Sequence, residues 1–240
     1  MQIDVVTIFP EMFDSVFRVG VIGKARQSKQ LDFRFHNLRD FTTDKHQTVD
    51  DIPYGGGGGL VFKVEPLIRA LQHIRNPDLR TISVLLSPRG ELFSHDTAKT
   101  FSTFDQVILF CGRYEGVDER FSEYVDREIS IGNYVLSGGE IPAMVMMDVM
   151  ARFVPGVIGQ EEAPHQDSFA QGKLEHPTYT RPREFEGKRV PEILFSGHHE
   201  KINEWRERES LNSTLQRRPD LLEKAQLFDG VRSSYGKKVD

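Results

Sequence analysis

The residues with the plainest chemical potential are the string Cys111-Gly112-Arg113-Tyr114-Glu115-Gly116-Val117-Asp118-Glu119-Arg120 and, close behind it, Ile131-Gly132-Asn133-Tyr134-Val135-Leu136-Ser137-Gly138-Gly139-Glu140. In each, glycines stand where an apolar run gives way to charged or helix-forming residues. A backbone without Cβ atoms can approach a small ligand closely at such junctions. Two of them so near each other point to a pocket built from loops at strand ends. Cys111 abuts the first string, but no adjacent histidine would activate it, and a cysteine after an apolar strand reads as a small buried residue. His165, His176, His198 and His199 form no zinc-ligand pattern with cysteines or paired carboxylates. Residues 55–59 are all glycine. No Gly-Lys-Ser/Thr ending follows them, so a ligand cradle and a flexible surface loop are equally good readings.

Regular elements must bring these strings together. Residues 3–8 read as a buried strand that stops at Phe9-Pro10, where proline suits the first turn of a helix. Residues 31–35 alternate apolar and polar as a half-buried strand does. Residues 65–74 have helical spacing. Residues 81–86 are β-rich and stop at Ser87-Pro88-Arg89-Gly90. A capped helix over 94–101 leads to another buried strand over 106–110, which ends at the first glycine string. This alternation predicts an α/β domain with a mainly parallel sheet, in which ligands bind beyond the carboxyl ends of the strands. Residues 140–153 are apolar nearly all round and include Met144, Met146, Met147 and Met150. They predict a buried helix, in a core or at a subunit interface.

After Pro155-Gly156 the character changes. Residues 159–173 are polar and read as a linker. Ser196 suits the cap of a helix over 198–208, and Pro219 the first turn of another over 219–227. The expected organisation is a domain over 1–158, a linker over 159–173 and a helical unit over 174–240, the last too small to be very stable alone.

Composition narrows the class. The chain has 240 residues, 38% hydrophobic and 28% charged, as soluble globular proteins do. Its net charge of −5 argues against a bulk polycationic nucleic-acid binder. A local basic cluster, Lys24, Arg26, Lys29, Arg34, Arg39 and Lys45, nevertheless stands against three aspartates. From charge alone, a solvated mixed surface is the plainer reading. One cysteine permits no internal disulfide. No apolar run reaches membrane-spanning length, so no membrane partner and a cytoplasmic location are expected.

The strings also occur in a telling order: Asp50-Asp51-Ile52-Pro53-Tyr54 with the glycine run, Leu86-Ser87-Pro88-Arg89-Gly90, the two strings above, Ala151-Arg152-Phe153-Val154-Pro155-Gly156, Asp167-Ser168-Phe169, His176-Pro177-Thr178-Tyr179-Thr180-Arg181-Pro182, and Val190-Pro191-Glu192-Ile193-Leu194-Phe195-Ser196-Gly197-His198-His199. Together they closely resemble the bacterial tRNA (guanine-N1)-methyltransferases of the TrmD type, within the SPOUT superfamily, over essentially the full chain. Gly58 and Leu60 depart from the family, which usually has proline and methionine there; a softer glycine loop follows.

The resemblance implies a trefoil-knotted catalytic domain acting as a homodimer with composite active sites. It implies methyl transfer from S-adenosyl-L-methionine to N1 of the guanine immediately 3′ of the anticodon, a modification that supports reading-frame maintenance. The tRNA anticodon stem-loop becomes the expected partner, and Mg2+ an expected requirement, although no carboxylate cluster marks a metal site. Asp167 becomes the general base that removes the N1 proton. Without the family match, Asp-Ser before an apolar residue reads better as a helix N-cap or a solvated linker position. Arg152 becomes the guanidinium that stabilises charge on O6; an arginine ending an apolar helix is otherwise a C-terminal charge partner.

The donor pocket falls to Leu86, Ser87 and Pro88, to Gly112, Arg113, Tyr114 and Glu115, and to Ile131, Gly132, Asn133, Tyr134, Val135, Leu136, Gly138 and Gly139. Glu115 could offset the donor's positive charge, or instead pair with Arg113 or Arg120. Arg181, Arg183, Lys188 and Arg189 join the basic cluster as expected RNA contacts, and residues 159–169 are expected to move when RNA binds. Two other classes compete. A dinucleotide-fold enzyme lacks its Gly-x-Gly-x-x-Gly after the first strand. A non-catalytic RNA-binding protein leaves Asp167, Arg152 and the glycine strings without a purpose.

Overall fold

The computed structural model describes residues 1–159 and 163–224. The chain divides into two compact units, Met1–Glu161 and Glu162–Asp240.

The first unit contains β1 (Gln2–Thr7), α1 (Gly20–Gln27), β2 (Asp32–Asn37), β3 (Asp50–Asp51), β4 (Val61–Phe62), α2 (Val64–Ile74), β5 (Thr81–Leu92), α3 (His95–Phe101), β6 (Gln106–Cys111), β7 (Arg127–Ser130) and α4 (Glu140–Ala151). Five strands form one sheet in the order β2-β1-β6-β5-β7, and every pairing in it is parallel. β6 is buried along its whole length, as a central parallel strand covered on both faces must be. Alternate residues of the strands feed two cores. Ile3, Val5, Val107 and Leu109 pack with Ala25, Ala98, Met146 and Met150 from α1, α3 and α4. Val6, Ile108 and Phe110 pack with Leu67 and Leu71 of α2 on the other face. The result is an α/β/α sandwich with the carboxyl ends of β5, β6 and β7 side by side.

Pro10 opens a 3-10 turn, and Ser94 caps α3 by accepting from the Thr97 N–H at 3.2 Å, both as the residue types predict. The strand expected over 81–86 does not stop there. β5 resumes pairing at Glu91 and Leu92, so that Ile129 of β7 faces both Leu86 and Glu91. Residues 87–90 are therefore a wide bulge inside one strand. Gly90 makes this work: a Cβ there would lie 2.4 Å from the Glu128–Ile129 backbone.

The second unit holds α5 (Ala163–Gln166), the hairpin β8 (Glu184–Phe185) and β9 (Lys188–Arg189), α6 (His199–Arg217) and α7 (Pro219–Lys224). α6 runs nine residues past the expected end at 208. Ser210, Asn212 and Thr214 are weak helix formers, but tertiary hydrogen bonds to Ser210 and Thr214 hold the extension. Residues 160–162 of the expected linker and 225–227 of the expected last helix lie outside the described residues. Among the described residues no helix is long and apolar enough to cross a membrane.

Candidate active site

A cleft of about 1220 Å³ opens at the carboxyl ends of β5, β6 and β7. Three glycine-bearing segments wall it, and each is fixed by backbone contacts. The β5 bulge supplies Ser87 and Pro88 on one side, with Leu86 buried beneath. The chain leaving β6 pairs with the segment after the glycine run: the Glu115 N–H donates to the Leu60 carbonyl at 3.0 Å, the Phe62 N–H to Gly116 at 3.0 Å, and the Asp118 N–H to Phe62 at 2.9 Å. The chain leaving β7 folds back on the same exit. Arg113 and Gly138 form an antiparallel bridge, and the Gly139 N–H donates to the Gly112 carbonyl at 2.9 Å. A Cβ on Gly139 would come within 2.7 Å of the Cys111 Cα, so only glycine lets α4 start against the end of β6.

Behind this floor lies a buried ion pair. Glu140, the first residue of α4, is 1% exposed and accepts from Thr7 Oγ1 at 2.7 Å and from Arg113 Nε at 3.1 Å. The Arg113 guanidinium also stands 4.4 Å from the Phe9 ring centroid. One carboxylate thus ties the ends of β1 and β6 to the start of α4. Its position at a helix N-terminus suits a negative charge.

Fourteen of the fifteen residues assigned to the donor pocket border the cleft; Asn133 does not. Arg113 borders it, and its guanidinium is paired with the buried Glu140. Glu115 pairs with neither arginine proposed for it, since Arg120 binds Asp118 at 2.6 Å; its carboxyl group instead lies against Gly59. Tyr134 folds over Gly132, and Val135 and Leu136 are exposed at the rim. Cys111 is buried, and burial followed by the nearby Glu140 charge pushes its thiol well up, which keeps it protonated and inert.

Sequence reasoning missed Ser130, which also lines the cleft, as do Arg89 and Ser137 of the two strings already singled out. Ser130 and the whole of β7 were hidden by the charged pair Arg127-Glu128, which breaks the apolar pattern of a strand. Arg89 reaches across the bulge to Glu119 at 2.7 Å, a contact no local pattern announces.

The two residues assigned to catalysis lie in different units. Arg152 is the exposed C-cap of α4, immediately beyond its apolar run. Asp167 follows the one-turn helix α5 rather than capping the start of one: its N–H donates to the Ala163 carbonyl at 2.9 Å. In the basic cluster, Arg26 and Arg39 are turned inward. Arg26 lies over Phe33, and Arg39 donates to the Ile8 carbonyl at 2.6 Å, leaving Lys24, Lys29, Arg34 and Lys45 exposed. Arg181, Arg183, Lys188 and Arg189 are all exposed around the β8–β9 hairpin. Among the described residues, no group of three or more His, Cys, Asp or Glu side chains could hold a metal ion.

A parallel α/β sheet with a large cleft where its strands end defines a ligand-binding domain of the kind that houses nucleotide-derived cofactors. Comparison with known proteins specifies it: the model of the family tRNA (Guanine-1)-methyltransferase TrmD matches residues 1–224, and the chain belongs to that family. It is 53% identical over 227 residues to a tRNA (guanine-N(1)-)-methyltransferase of Dictyoglomus turgidum, covering 95% of this chain and 92% of the relative. Proteins of the same name from Thermosipho africanus and Desulforudis audaxviator are 52% and 49% identical, covering 96% and 97% of this chain and 93% and 94% of their own lengths.

Proposed function

We propose that this protein transfers a methyl group from S-adenosyl-L-methionine to N1 of the tRNA guanine immediately 3′ of the anticodon. The observation that carries this reading is the coincidence of a family match over nearly the whole chain with a glycine-walled cleft at the strand ends. The cleft fits the donor's chemistry. Pro88, Tyr134 and Leu136 offer apolar surface to an adenine, and the Glu115 carboxylate pairs with no arginine among the described residues and suits a positive sulfonium. When bound there, S-adenosylmethionine supplies an activated methyl carbon. The cleft's volume of about 1220 Å³ exceeds the ~300–1,000 Å³ usual for a small-ligand pocket, which leaves room beside the donor for a nucleobase. The described residues offer no comparable cluster for Mg2+, and no step is assigned to that ion.

Guanine N1 carries a proton and is a poor nucleophile until that proton leaves. Asp167 takes it as general base, and the Arg152 guanidinium stabilises the charge that then gathers on O6. Extruding a loop base into such a site has a modest cost, because loop bases are already poorly stacked. The exposed arginines and lysines of both units hold the phosphate backbone.

Two further parts belong to the proposal. The return of residues 131–139 onto the β6 exit supports a threaded, trefoil-knotted arrangement. α4 supports a homodimer with composite sites. One side of it is buried through Ala143, Met146, Met147 and Met150, while Ile141 and Val145 expose an apolar strip that a second copy would cover.

Incubating the protein with S-adenosylmethionine and a tRNA transcript, then analysing nuclease digests by mass, tests the function. One methyl at N1 of the guanine following the anticodon is expected. Methylation elsewhere, or none, would overturn the reading.

A further inference from the structure

We propose that Ser210 and Thr214 of α6, with Arg218 just beyond it, are positioning residues for Asp167, so that the proton acceptor is registered on a helix rather than swinging on an untethered linker. The proposal rests on the reading of Asp167 as the base. Its ground is a set of contacts within the second unit.

Ser210 and Thr214 are four apart and therefore share one face of α6. They are 4% and 0% exposed, an unusual depth for hydroxyl side chains in the middle of a helix. Both hydroxyls are spent on one residue of the loop that follows Asp167. The Leu174 N–H donates to Thr214 Oγ1 at 2.9 Å, and the Leu174 carbonyl accepts from Ser210 Oγ at 2.5 Å. Thr214 Oγ1 in turn donates to the Ser210 carbonyl at 2.7 Å, which fixes the direction of its proton. Leu174 thus has both backbone groups clamped by side chains, where strand or helix partners would ordinarily serve.

From Leu174 the restraint runs back to Asp167 through a closed loop. The Phe169 N–H donates to the Lys173 carbonyl at 2.8 Å, and the Ala170 N–H to the Asp167 carbonyl at 3.1 Å. The Glu175 N–H donates to Ser168 Oγ at 3.0 Å. Lys173 pairs with Glu207 of α6, and the Arg218 guanidinium lies 5.6 Å from the Phe169 ring centroid. Phe169 itself sits at φ +80°, a left-handed conformation costly for an aromatic residue. Such strain persists only where the surroundings over-determine it. The clamp at Leu174 and the Arg218 contact are those surroundings.

Single-turnover methyl transfer, at saturating donor and tRNA, tests this in four variants. Thr214→Val and Ser210→Ala each remove a clamp hydroxyl. Both should lower the rate on the order of 10-fold to 100-fold, the scale of a misplaced catalytic group. KM for S-adenosylmethionine should stay within about twofold of wild type, because the cleft lies in the other unit. Thr214→Ser, which keeps the hydroxyl, should restore the rate. Arg218→Ala removes an exposed contact and carries the test if the buried variants do not fold; the same fall is expected. Folded variants with rates within about twofold of wild type would overturn the positioning role. Asp167→Ala, measured beside them, separates the two ideas. If it is fully active, the base assignment fails; if it is inactive while the α6 variants are normal, only the positioning fails.

Discussion

In the first unit, the cleft is walled by backbone pressed against backbone: Gly90 against Glu128 and Ile129, Gly139 against Cys111, and the Leu60–Phe62 segment laced to the β6 exit. In the second unit, the loop after Asp167 hangs from α6 by side chains, two hydroxyls, an ion pair and a guanidinium on a ring. The first construction is stiff, because no rotamer can relax it. The second has several independent anchors and a strained residue between them. A donor pocket must be formed before its ligand arrives, whereas a base has to meet a nucleobase delivered on RNA. On the proposed reading of the cleft and of Asp167, rigid walls and a tethered acceptor divide those tasks.

The sharpest way to break this contrast is at the cleft's ion pair. Glu140→Ala leaves the Arg113 guanidinium and the Thr7 hydroxyl without their shared buried partner, and should lower stability by about 3–5 kcal/mol. Thermal or urea unfolding reads this directly. A loss below about 1 kcal/mol would mean the floor is not held as described.

A smaller effect lies at the opposite end of the strands. Asp4 is 1% exposed and accepts from Gln2, from Gln106 and, across 2.7 Å, pairs with His36. Burial alone would raise its carboxyl pKa, but hydrogen bonds from His36, Gln106 and Gln2 outweigh it and hold the group below the ordinary aspartate value. A carboxyl depressed in the folded state contributes stability above its unfolded pKa and loses it as pH falls through the folded one. Asp4→Asn should therefore cost about 1–3 kcal/mol at neutral pH, and the gap from wild type should stay constant down to about pH 5 and then narrow as pH falls through the depressed folded-state pKa. An unchanged gap through that fall would contradict the ionised pairing.

The smallest effect concerns the glycine run. Gly58, unlike its four neighbours, is outside the left-handed region, and a Cβ there meets nothing within 4 Å. Gly58→Ala should stabilise the fold by about 0.4–1 kcal/mol, through the unfolded chain. Destabilisation would show that this loop is packed rather than open.

Most of the cleft was readable from residues alone. Apolar runs gave β1, which stops at Phe9-Pro10, and β6, which ends in glycine, and glycines marked the strings beyond β6 and β7. What escaped did so for physical reasons. β7 carries Arg127 and Glu128, which mask its burial. The bulge at 87–90 reads as a strand end because Pro88 and Gly90 punctuate it, and only the close approach of β7 reveals that the pairing resumes. Asp167 has no periodicity or spacing of its own; the residues by themselves favoured a cap or a linker, and the family resemblance alone gave it a role. Ser210 and Thr214 look like ordinary polar residues of an exposed helix until the fold buries them against Leu174.

The central claim is that a carboxylate at position 167 removes the guanine N1 proton beside a donor held in a pre-formed cleft. Single-turnover methyl transfer by Asp167→Asn, with donor binding followed in parallel by calorimetry, tests it most directly. The expected result is a rate at least about 100-fold below wild type with unaltered affinity for S-adenosylmethionine. A near-normal rate would contradict the claim, whatever the cleft binds.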